Sequence, residues 1–87
     1  MIQITPEQVE VYLKIINDQN PLHQYIVPGQ MVVQLALRNK KVEWQSYKVN
    51  YIAPVEVYEM LQFEHTESEQ LHVKNKENEI KILVYRI

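Results

Sequence analysis

Pro28-Gly29-Gln30-Met31-Val32-Val33-Gln34-Leu35-Ala36-Leu37 decides the fold. The stretch is apolar on nearly every side, so it is expected to be buried by most of its neighbours. Periodicity alone fits either a mid-sheet strand or a core helix. Arg38-Asn39-Lys40-Lys41 follows, with cations where a helix C-terminus favours them, and this selects a helix starting near Gly29. Beyond it the pattern is strand. Val42 to Tyr51 carries Trp44, Tyr47, Val49 and Tyr51, and Val55 to His65 alternates with Val55, Val57, Leu61 and Phe63 on one face. Pro54 punctuates the two, Glu67-Ser68-Glu69 turns the chain, and Leu71 and Val73 mark a short strand. Asn75-Lys76-Glu77-Asn78 reads as a hairpin loop before a last strand from Ile80 to Tyr85.

Upstream, Met1 to Ile4 is a short β-branched opening strand. Thr5-Pro6-Glu7-Gln8 is a helix start, with Thr at the cap, Pro at the first position and Gln three residues after Thr. Val9, Tyr12, Leu13 and Ile16 then give one apolar helical face. The helix should stop near Asn17 or Asp18, because Pro21 pushes Asn20 out of helical conformation. Segregated helices followed by a run of antiparallel strands make the class α+β. One long sheet wrapped round the apolar helix is the economical way to bury it.

Composition narrows the function. The 87 residues make one domain over residues 1–87, and 46% apolar against 23% charged is too apolar for disorder. A chain this short buries only about 60–65% of its unfolded surface, and it has no cysteine to staple it. Self-association, as a homodimer, is expected. A net charge of −2 argues against nucleic acid as a partner. No apolar run approaches the roughly 18 residues of a membrane span, so no membrane partner is expected. Met1-Ile2-Gln3-Ile4-Thr5-Pro6-Glu7 lacks the basic and long apolar regions of a signal peptide, so a cytoplasmic location is expected. Gly29 is the single glycine and Asp18 the single aspartate. A lone glycine marks a place where no side chain fits.

The polar cluster is Asn17-Asp18-Gln19-Asn20-Pro21-Leu22-His23. It fits a helix-ending loop, since Asn, Asp and Pro are turn residues. It also fits chemistry. A carboxylate and an imidazole on a Pro-stiffened loop can share one water, take a proton from it and return one to a neighbouring carbon. Gly29 follows at the start of the buried helix, where backbone N–H groups and the positive dipole end would stabilise a carbonyl oxygen gaining negative charge.

Asp18-x-Asn20-Pro21-x-His23 resembles the D-x-N-P-[aliphatic]-H signature of the MaoC-like dehydratases and (R)-specific enoyl-CoA hydratases. Ile4-Thr5-Pro6-Glu7-Gln8-Val9 resembles the approach to that family's first helix. Ile26-Val27-Pro28-Gly29-Gln30-Met31 is similar to the start of its central helix, and Tyr51-Ile52-Ala53-Pro54-Val55 to its aromatic-x-x-Pro-Val strand. The likeness covers roughly residues 4 to 61. It implies a hot-dog fold, an antiparallel sheet wrapped round a central helix, usually dimeric. It implies hydration of an enoyl thioester or dehydration of a 3-hydroxyacyl thioester. Asp18 and His23 would activate the water and Gly29 would donate its N–H to the thioester carbonyl, while Asn20 and Pro21 would shape the loop. No metal or redox cofactor is implied; coenzyme A or acyl carrier protein would be part of the substrate. The chain departs from the family pattern in having Asn17 before the aspartate, only Gln24 to Pro28 between the signature histidine and Gly29, and Tyr58-Glu59 where Gly-Asp is usual. The short connection trims the usual cover of the acyl chain. A module binding an acyl thioester or a partner protein without catalysis is therefore the alternative.

Other residues read more plainly. His65 and His72 are expected at solvated strand positions. Arg38, Lys40 and Lys41 fit a solvated helix end better than a site for coenzyme A phosphates. Trp44, Tyr47 and Tyr51 fit core or dimer interface better than a ligand box.

Overall fold

A computed structural model describes residues 2–16 and 26–87. The first helix, α1 (Pro6–Ile16), starts as its sequence dictates. The Gln8 amide donates to Thr5 Oγ1 at 3.2 Å and the Thr5 amide donates to Gln8 Oε1 at 2.9 Å, a reciprocal capping box. Val9 is buried, and Tyr12 and Leu13 pack on the core half-buried. The expected apolar face does not extend to Ile16, which is 46% exposed. The helix meets the core through Val9, Tyr12 and Leu13, and its last turn passes beyond it.

The stretch from Pro28 is a helix, α2 (Gly29–Asn39), which follows a two-residue strand, β1 (Ile26–Val27). Met31, Val32, Val33 and Ala36 are buried, while Gln30, Gln34 and Arg38 form one exposed stripe at i, i+4, i+8. The helix is thus covered on most sides rather than all. Its C-terminus closes as a Schellman motif. The Val42 amide donates to the Leu37 carbonyl at 2.9 Å and the Lys41 amide to the Arg38 carbonyl at 3.1 Å, with Lys41 in the left-handed region at φ 55°.

Five further strands follow: β2 (Tyr47–Tyr51), β3 (Val55–Glu56), β4 (Leu61–His65), β5 (Gln70–Asn75) and β6 (Ile80–Arg86). They make an antiparallel four-stranded sheet in the order β2-β6-β5-β4 and a separate β1-β3 pair. The architecture is α+β: α2 packs across β5 and β6.

 Val32, Val33 and Ala36 of α2 share one core cluster with Leu71, Val73, Ile82 and Val84 of the sheet.

Four expectations need correction. The opening strand reduces to a bridge in which Ile2 and Leu61 exchange backbone bonds of 2.9 and 2.8 Å. Pairing in the 42–51 stretch begins only at Tyr47, with Trp44 turned into the edge of the core. The alternating 55–65 stretch splits into β3 and β4, because Tyr58 turns the chain at φ 66° and the Glu59 carboxylate takes the Glu56 amide at 3.0 Å. The one long sheet is therefore two sheets: β3 leaves to pair with β1, and only β4-β5-β6 form a meander.

Asn75 is the buried polar residue that shapes the β5–β6 hairpin. Its Oδ1 accepts the Glu77 and Glu79 amides, both at 3.0 Å, and its Nδ2 donates to Glu79 Oε1 at 2.9 Å. Asn75→Ala leaves those amides without their acceptor and is expected to cost about 1–3 kcal/mol, read as a lower urea midpoint at unchanged slope.

Candidate functional site

Gly29 opens α2 after Pro28, whose φ of −55° and ψ of 127° bring the chain in extended. The helical ladder begins with the Met31 and Val32 amides, which both donate to the Pro28 carbonyl, at 3.0 and 3.3 Å. The amides of Gly29 and Gln30 have no acceptor among the described residues. No acidic residue stands in the first turn to neutralise the positive end. Gly29 therefore lies where a carbonyl oxygen could be held.

The reason for glycine is space, since its φ is not positive. A methyl group on Gly29 would overlap Cε1 of Tyr51 and lie 2.8 Å from its Cδ1 and 3.2 Å from its Cζ. Tyr51 reaches this point because it pairs with Ile82 and so shares the helix-facing side of the sheet. Burial, with the Tyr47 and Tyr12 phenols nearby, raises the Tyr51 phenol above its ordinary value. It is a neutral hydrogen-bond donor at physiological pH. A cleft of about 290 Å³ opens beside Gly29 and Tyr51, walled by Ile26, Ile52, Pro54 and Ile82.

A second groove, of about 440 Å³, runs between the two helices, with Tyr12, Ile15 and Ile16 on one wall and Gln30, Met31 and Gln34 on the other. It puts the end of α1 beside the first turn of α2. Asp18, Asn20, Pro21 and His23 lie outside the described residues, so only Gly29 of the expected constellation has a described position. The tyrosine beside it was legible only as an aromatic in a strand; nothing in sequence spacing relates residue 51 to residue 29.

The remaining titratable groups lie elsewhere. His65 is exposed and meets Trp44 edge-to-face at 5.7 Å. His72 is not the solvated position expected: its side chain is 16% exposed. It sits on an inner strand, where Gln70 Oε1 lies 3.1 Å from Nε2 and Glu64 Oε1 3.8 Å from Nδ1. Arg38, Lys40 and Lys41 are exposed at the far end of α2, as a solvated helix end requires. Among the described residues no cluster of His, Asp and Glu is placed to hold a metal, and no helix is long and apolar enough to cross a membrane.

Comparison of the chain with family models, curated proteins and solved structures found no match.

Proposed function

We propose that the chain is a shortened hot-dog protein of the MaoC-like class that hydrates an enoyl thioester, or runs the reverse dehydration. The observation that carries this reading is the start of α2: amides with no acceptor among the described residues, at a lone glycine, on a helix laid across an antiparallel sheet. In the reaction, Asp18 and His23 remove a proton from water, its oxygen bonds to C3 of the double bond, and a proton is delivered to C2. The Gly29 amide bonds to the thioester oxygen while it carries negative charge. The segment bearing Asp18 and His23 joins Ile16, on the groove wall, to Ile26, beside Gly29.

One observation favours the alternative of a binding module. The Tyr51 ring occupies the space that a Cβ on Gly29 would take and so narrows the room beside the amide. Loss of crotonyl-CoA absorbance with the pure protein separates the two. Hydration above the buffer rate supports the enzyme. No hydration, with coenzyme A or acyl carrier protein still bound, supports the module.

A further inference from the structure

Tyr51 is the residue that touches the lone glycine, and the chain fixes it there from both sides. It lies on the same face of β2 as Val49, which packs on the core, and opposite Ile82 on β6. Just beyond it the backbone is tied to one residue of β6. The Lys81 carbonyl accepts the Ile52 and Ala53 amides at 2.9 and 3.1 Å, and the Nζ of the same lysine donates to the Pro54 carbonyl at 3.0 Å. Glu59 holds that Nζ at 3.1 Å in a half-buried ion pair. The ring thus starts from a fixed backbone, and its Cε1, Cδ1 and Cζ are the nearest atoms to the place where a side chain on Gly29 would begin. The hydroxyl is one bond beyond Cζ, in the apolar cleft that Gly29 and Tyr51 line together.

We propose that the Tyr51 hydroxyl is a second hydrogen-bond donor to the thioester oxygen, beside the Gly29 amide. The proposal rests on the reading that this oxygen is held at Gly29. Addition of water at C3 leaves negative charge on that oxygen until C2 is protonated. The oxygen has lone pairs for both donors at once. Two donors fixed in advance stabilise the charge without reorganising when it forms. The phenol suits this role because it stays protonated: burial, and then the neighbouring Tyr47 and Tyr12 phenols, raises it above its ordinary value. No proton leaves Tyr51. It gives a hydrogen bond and takes no part in the transfers, which stay with Asp18 and His23. A side chain at residue 29 would push the ring away, so the single glycine and the tyrosine work as one unit.

Tyr51→Phe tests it, because the ring and its contact with Gly29 stay while the hydroxyl goes. Two readouts are compared. One is the thioester carbonyl stretch of bound butyryl-CoA, read by isotope-edited infrared difference spectroscopy; the other is hydration of crotonyl-CoA. In the wild type the stretch is expected to fall below that of free butyryl-CoA, and Tyr51→Phe is expected to lose part of that shift. Removing one such donor costs about 10²–10³ in kcat, and the low end is expected here, with KM nearly unchanged, because Tyr51 is 55% exposed and water competes for the oxygen. Tyr47→Phe, a phenol on the same face of β2, should change neither readout. A Tyr51→Phe protein that keeps the full shift overturns the proposal, and hydration at the wild-type rate in that variant leaves the hydratase reading standing. A shift that depends on Tyr51 in a wild type that hydrates nothing does the reverse: the donor pair holds and the hydratase reading falls. No shift in the wild type, or no binding of butyryl-CoA, overturns the proposal outright.

Discussion

Asp18→Asn is expected to lower crotonyl-CoA hydration by a factor on the order of 10²–10⁴. The amide keeps the size and shape of the carboxylate but cannot accept a proton from water at neutral pH. His23→Ala should fall in the same range, because the proposed mechanism makes the imidazole the second proton-transferring group. The double variant should be little worse than either single one, since in that mechanism both act on the same water and their effects do not add. Melting temperatures close to wild type would separate lost chemistry from lost fold. Full activity in both single variants would remove the dyad from the mechanism.

The second large effect is on stability. Leu71→Ala is expected to cost about 2–5 kcal/mol, against the 5–10 kcal/mol or so that a chain of this length holds in total. Leu71 is 0% exposed on inner strand β5, flanked by His65 on β4 and Val84 on β6, and belongs to the core beneath α2. Its neighbours are held in two ladders and cannot collapse into the space. The melting temperature should fall by on the order of 10–30 °C. Val11→Ala is the control: at 58% exposed on α1 it should change stability by less than about 0.5 kcal/mol. Similar melting temperatures for the two variants would mean that β5 is not an inner strand.

The sequence made some features legible and not others, for physical reasons. Thr5 and Gln8 are three residues apart and satisfy each other locally, so the start of α1 could be read directly. The central helix was readable from its apolar run and the cations after it. The splitting of residues 55–65 was not, because Tyr58 takes a left-handed conformation in which its amide bonds to the distant Ile4 carbonyl. Likewise β2 joins β6 rather than its neighbour in sequence, a choice made by long-range pairing. At the candidate site, the lone glycine pointed to a crowded position, but the tyrosine that crowds it comes from another element.

The strand order has a consequence for biosynthesis. β6 is the last strand along the chain, yet it lies between β2 and β5 and carries Ile82 and Val84 under α2. A ribosome adds residues at roughly 5–20 per second. Throughout the interval between the emergence of α2 and that of Arg86, the apolar face of the helix has no complete sheet to lie on, and the open side of β5 has no partner. The emerging chain is therefore most exposed to aggregation just before β6 appears, and the sheet closes in one late step rather than gradually.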